Sequence, residues 1–392
     1  MRIPSDTGRT HPDTRDPATL ARSRLPSLTG MRAVAAFLVA AQHFAEQPGL
    51  LPEGGTTDTI RVAFSAFGAI GVSFFFVLSG FVLTWTAVAR PDDTAPRFWR
   101  RRFFKIYPNH VVTMLIATAF ILWEGAPYAA ERLSAPEAQL LLVHAFSIDP
   151  MVAFGFTGVS WSLSAEAFFY LSFPLLLPLV NRIPAARLWA ATGGVLLLIL
   201  AMPQVATLLP DEPAYPWYPS AWEYWFVAYF PVVKLLEFLL GVLLARLVLS
   251  RRWVRTPLPV AAAALVVCLI ASPFVPTLYG LTAVVIVGIA LIIPAGATAD
   301  IERQPSFLRR RTMVWLGDIS FAFYLLHTLA LQFALQIWTR MNGTTTATSA
   351  IVLILAGLGV GILSSWLLFQ FVEKPMQRRF SKSAGKTRTG GK

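Results

Sequence analysis

Apolar residues fall along this chain in long blocks, separated by short polar connections rich in arginine. A bilayer core takes about 20 apolar residues per helix. Blocks of that order occupy roughly 28–46, 64–89, 103–123, 163–181, 187–208, 224–247, 257–273, 277–296, 313–338 and 349–372. The pattern predicts an all-α polytopic membrane protein of about ten transmembrane helices, built as one domain over 27–380. The first residues are polar and hold Arg2, Arg9, Arg15, Arg22 and Arg24. They are too many and too mixed with acids for a signal peptide, and no small-residue cleavage site follows the first apolar block. Residues 1–26 and 381–392 are therefore expected to be disordered tails.

Composition agrees with this picture. Apolar residues make up 55% of the 392-residue chain and charged residues only 14%. A soluble domain carries about 25% charged residues, and the mean hydropathy of +0.59 excludes a disordered chain. The net charge of +12 is compatible with a nucleic-acid binder or with basic loops beside anionic lipid, and its distribution separates the two. The basic residues gather in the N-terminal tail, at 90–105, 182–187, 246–255 and 303–311, and after Lys374. In a ten-span chain all of these fall on one side. The opposite connections hold only Arg61, Arg132 and Arg340 among basic residues, and carry Glu53, Asp58, Glu124, Glu131, Glu137, Asp149, Asp211 and Glu212. The positive-inside rule then puts both termini in the cytoplasm of a multi-pass plasma-membrane protein. Its surroundings are membrane lipids, and nucleic acid is not a partner.

Two outer connections stand apart. The long one, 124–162, contains APEAQLLLVHAF, expected as a short helix lying in the interface. The run PDEPAYPWYPSAWEYW from Pro210 fits either an interfacial aromatic belt or the lining of an acceptor site. Cys268, the single cysteine, lies in an apolar run and reads as a small packing residue. No metal-ligand spacing, P-loop or G-x-S-x-G elbow occurs. Gly68, Gly71 and Gly80 are expected to allow close helix packing.

Ionisable residues inside apolar blocks are costly and mark function. Arg32, His43, Glu166 and His327 are in that position. At about 1.5 Å per residue, His43, Glu166 and His327 are all expected in the outer half, whereas Arg32 lies one turn from the cytoplasmic side. A histidine and a carboxylate at one depth suit a general base and its supporting anion. They equally suit a buried structural pair.

Six blocks in order extend the reading: SLTGMRAVAAFLVAAQH (27–43), GVSFFFVLSGFVL (71–83), RFWRRRFFKIYP (97–108), WSLSAEAFFYLSFPLL (161–176), LGDISFAFYLLH (316–327) and FVEKPMQRR (371–379). Their order and spacing resemble the acyltransferase 3 family of ten-span membrane O-acyltransferases, over nearly the whole chain. The resemblance implies transfer of an acyl group from acyl-CoA, the co-substrate, to a hydroxyl of a sugar-bearing small molecule, with no metal. It implies catalytic roles for His43 as general base and Glu166 as its carboxylate. It implies coenzyme contacts for Arg32, Arg97, Arg100, Arg101 and Lys105, although positive-inside topology alone also explains the basic cluster of 97–105. His327, Trp161, Tyr170 and Ser79 are expected at the substrate. Thr29 stands where many members carry Asp, and Lys105 where many carry Arg. Thr29 resembles the actinomycete macrolide O-acyltransferases. Other readings are acylation of an envelope polysaccharide, a transporter using His43, Glu166 and His327 as a proton relay, and a structural membrane protein.

Overall fold

The computed structural model describes residues 17–125, 129–212, 220–342 and 344–380. The expected tails over 1–16 and 381–392, and part of the aromatic run (213–219), lie outside the described residues. Among the described residues ten long helices follow one another: α1 (Pro26–Glu46), α2 (Gly55–Ala89), α3 (Ala95–Glu124), α4 (Trp161–Asn181), α5 (Leu188–Ala206), α6 (Pro231–Leu249), α7 (Leu258–Ala271), α8 (Ala283–Ile301), α9 (Arg311–Asn342) and α10 (Ala347–Leu368). Among the described residues there is no strand. Eight of these helices, some with short flanking turns, are long and apolar enough to cross a membrane. The two that fall short sit at the sixth and seventh expected blocks. Helix α6 carries Lys234, Glu237 and Arg246, and α7 is 14 residues long before the turn Ser272–Phe274. The protein is thus a polytopic helical membrane protein.

Local chemistry sets the helix ends. Proline occupies the first turn of α1, α3 and α6, where its missing N–H costs nothing. Gly125 ends α3 with φ 68°, a left-handed conformation that suits glycine. Thr346 and Ser349 cap α10 reciprocally, each side chain accepting from the other's backbone N–H. Beyond Leu368 the chain continues helically through a π-type turn, Phe369–Glu373, to Phe380. There Glu373 accepts from Asn109 Nδ2 of α3 at 2.8 Å.

Packing brings α1 between α2 and α9, and α2 against α6. The α2–α6 crossing depends on two glycines. A Cβ on Gly80 would overlap the Phe238 carbonyl oxygen, and one on Gly241 would overlap that of Val77. Close backbone approach of this kind is the usual use of small residues between membrane helices. Gly241→Val should therefore destabilise the fold by ~1–3 kcal/mol or more. A lowered unfolding midpoint in size-exclusion after graded heating checks it, and an unchanged midpoint contradicts the packing role.

Two expectations change. Part of the segment expected as an N-terminal tail is structured: Pro17–Ala21 is a helical turn with Leu20 and Ala21 buried, and the Trp85 indole donates to Ser23 O at 3.4 Å. The segment APEAQLLLVHAF does not lie flat as one interfacial helix. It forms the short helix Pro136–Leu140 and the turn His144–Phe146, with Gln139 and His144 fully buried. Leu140, Leu141, Val143 and Phe146 point outward instead. The polar residues turn inward because partners wait there. Gln139 O lies 2.9 Å from His110 Nε2, midway along α3, and Gln139 Nε2 donates to Val152 O at 2.8 Å. The His144 ring stacks parallel to that of His110. Burial lowers its pKa to about 4, so it is neutral at physiological pH.

Candidate active site

The two exceptional histidines meet. His43 Nδ1 and His327 Nε2 are 2.9 Å apart, although their residues lie 284 positions apart in the chain. His327 is fully buried, and its Nδ1 is 2.8 Å from Tyr324 O and 3.1 Å from Phe323 O. Backbone carbonyls only accept, so Nδ1 of a neutral His327 carries the proton and Nε2 offers a lone pair. Nδ1 of His43 must then be the donor between the rings. That leaves Nε2 of His43 as the unprotonated nitrogen, the form a general base requires.

Two cavities reach the centre of the bundle. One, called outer because it lies at the end of the bundle that the charge pattern predicts to face outward, has a volume of about 420 Å³ and is bordered by Gln42, His43, Glu46, Trp161 and Lys234. The inner one, about 310 Å³, is bordered by Arg32, Ser79, Arg102, Lys105, Glu166 and Tyr170. Val72 and Tyr324 border both, so the cavities share a wall. Tyr324 is held there by Ser162, whose hydroxyl is 2.8 Å from the phenol, and by its own donation to Val159 O at 3.2 Å. A third cavity of about 520 Å³, bordered by Arg90, Asp93, Arg101 and Arg102, shares Leu83 and Arg102 with the inner one.

Glu166 is not at the depth of the histidines and does not pair with His43. It accepts from the Tyr170 hydroxyl and from Ser79 Oγ (3.5 Å), within the cavity that holds Arg32, Arg102 and Lys105. The depth expectation failed for a physical reason. It counted residues from a membrane surface, but α4 follows a connection that folds back to the middle of α3, so α4 begins inside the bundle. Trp161, at its first residue, borders the outer cavity, whereas Tyr170 and Ser79 border the inner one. His327 borders neither and stands behind His43.

The basic residues also divide. Arg32 and Lys105 reach the inner cavity. Arg101 pairs with Asp93 through both nitrogens of its fork, Nη1 donating to Oδ1 at 2.7 Å, and borders the third cavity. Arg97 is exposed and borders none of these cavities. Arg100 is also exposed, and its Nη2 donates to Phe380 O at 3.2 Å. Among the described residues no group of three or more His, Cys, Asp or Glu could hold a metal ion.

A model of acyltransferase domains, Acyl_transf_3, matches residues 25–370. The chain belongs to the acyltransferase 3 family. Among relatives, the acyltransferase MdmB of Streptomyces mycarofaciens is 38% identical over 362 residues, covering 91% of this chain and 92% of MdmB. Nodulation protein 10 of Rhizobium leguminosarum bv. viciae is 26% identical over 151 residues, 35% of this chain and 39% of that protein. No solved structure matches.

For this acyltransferase, sequence reasoning missed two elements of the centre, and it carried a third, Arg102, only within the basic cluster of 97–105. Tyr324 lies in the same block as His327 and could have been noticed as a wall residue only once the cavities were known. Arg102, read as part of a cytoplasmic cluster, borders both basic cavities. Lys234 and Glu237 form a buried ion pair of 2.7 Å inside α6. Their signal was on the page: a lysine and a glutamate three apart in the apolar run PVVKLLEFLLGVLL.

Proposed function

We propose that this acyltransferase moves a short acyl group from acyl-CoA to a hydroxyl of a glycosylated macrolide or a related metabolite. The observation that carries the reading is the pair of cavities sharing a wall at Val72 and Tyr324, one basic and one holding His43. The guanidinium groups of Arg90, Arg101 and Arg102 suit the coenzyme's phosphates, and Arg32 and Lys105 continue that field inward. The acyl thioester then extends through the inner cavity toward the wall. The acceptor enters the outer cavity and offers a hydroxyl to His43 Nε2. As that nitrogen takes the proton, the oxygen attacks the thioester carbon. The C–S bond breaks, and the coenzyme leaves as thiolate and takes the proton from the imidazolium. No acyl-enzyme forms in this scheme. His327 fixes the His43 tautomer. Glu166, bonded to Tyr170 and Ser79, supplies the counter-charge that holds Arg102 and Lys105 around the donor. The basic connections support a topology with both termini in the cytoplasm of the plasma membrane. Likeness to the acyltransferase MdmB over nearly the full chain supports acyl transfer, and Thr29, which resembles the actinomycete macrolide O-acyltransferases, supports a macrolide as acceptor.

The test uses the full chain in proteoliposomes with labelled acetyl-CoA and a panel of glycosylated macrolides, read by mass spectrometry. A gain of one acyl mass on an acceptor, matched by released coenzyme, is expected. Movement of an unmodified macrolide across the membrane without acetyl-CoA consumption overturns the reading in favour of export. Lys105→Ala should raise the KM for acetyl-CoA about tenfold, the order of one charge-assisted contact. The KM for the acceptor should stay within about twofold of wild type.

A further inference from the structure

Lys234 is the buried cation that the scheme above leaves unused. It is 3% exposed, yet it borders the outer cavity in company with His43. Its Nζ donates to Glu237 Oε1 at 2.7 Å and to Thr282 Oγ1 at 2.9 Å. An ammonium carries three N–H donors, so one has no protein partner among the described residues. Behind it, Glu237 Oε2 is buried and has no hydrogen-bond partner among the described residues, beside a void of about 10 Å³.

As a structural device this arrangement is poor. A lysine within an apolar bundle is expensive. Near the N-terminus of α6 it also sits at the positive end of the helix dipole. Apolar residues of similar volume generally replace a buried ion pair without loss of stability. What the pair does supply is a fixed cation bordering the cavity, with two donors engaged and a third that has no partner among the described residues.

We propose that Lys234 anchors the acyl acceptor, donating its third N–H to a hydroxyl, ether or carbonyl oxygen of that molecule. The proposal rests on the acyl-CoA reading above and deepens it. Glu237 and Thr282 position the ammonium. Because His43 works in the same cavity, a second fixed contact selects which hydroxyl of a polyhydroxylated acceptor reaches the base. Lys234 therefore governs affinity for the acceptor and the position of acylation, and it disfavours acceptors that would bring an ammonium group to the same spot.

The test replaces the pair together, Lys234→Met with Glu237→Leu, so that neither charge is left buried alone. Full-length protein is assayed with acetyl-CoA and the best acceptor of the macrolide panel. The KM for the acceptor should rise roughly tenfold or more, as for loss of a charged hydrogen bond. The KM for acetyl-CoA should hold, and acylation should spread over more than one hydroxyl. A folded double variant with wild-type acceptor KM and a single product overturns the proposal while leaving the acyl-CoA reading intact. If the double variant does not fold, Thr282→Val keeps both charges and frees one anchor. It should then raise the acceptor KM about threefold, within the range for one hydrogen bond, and no rise overturns the proposal. Wild-type protein that consumes no acetyl-CoA with any acceptor overturns the acyl-CoA reading and the anchor with it.

Discussion

His43→Ala should lower acyl transfer about 10²–10⁴-fold, the range of a lost general base. The reasoning starts from the tautomer. The carbonyls of Tyr324 and Phe323 require a proton on Nδ1 of neutral His327. Nε2 of His327 then accepts from Nδ1 of His43, so the free lone pair of His43 is on Nε2. Among the described residues no other histidine borders the outer cavity. Alanine is a strong helix former, and His43 lies near the end of α1, so the variant should fold and still bind acetyl-CoA. Initial rates with labelled acetyl-CoA in proteoliposomes check this, with acetyl-CoA binding measured alongside. Transfer at the wild-type rate would remove His43 from the mechanism.

The second large effect concerns the residue behind it. His327→Phe should reduce transfer by roughly 10²-fold, because the base loses the group that fixes its tautomer and steadies the imidazolium. Phenylalanine is apolar and aromatic, and it suits a site already packed by the rings of Phe323, Tyr324 and Phe44. The decisive measurement is the double variant. If the histidines act as one unit, His43→Ala with His327→Phe should be no slower than His43→Ala alone. Losses that multiply would mean that His327 works independently of His43.

The helical plan was legible in the sequence because lipid leaves the backbone few choices. An apolar block of span length must satisfy its own N–H and C=O groups, and a helix does so within the segment. His43 and His327 were legible too, since an ionisable group amid apolar residues has a cost that calls for a purpose. Lys234 and Glu237 carry the same signal, masked by a run that is otherwise apolar enough for a plain span.

Residue order could not say which of these groups meet. Depth along a helix depends on where the helix begins, and α4 begins inside the bundle because Gln139 and His144 draw the preceding connection inward. That placement gives Glu166 to Tyr170, Ser79 and the cations rather than to His43. The direction each helix faces depends on contacts between helices. At Gly80 and Gly241 the absence of a Cβ brings two backbones together, and the angle of that crossing follows from packing that no single segment contains. The order of residues therefore determines the helices and the chemically exceptional positions. The pairing of His43 with His327, the shared wall at Val72 and Tyr324, and the cation at the edge of the outer cavity arise only when the helices are assembled.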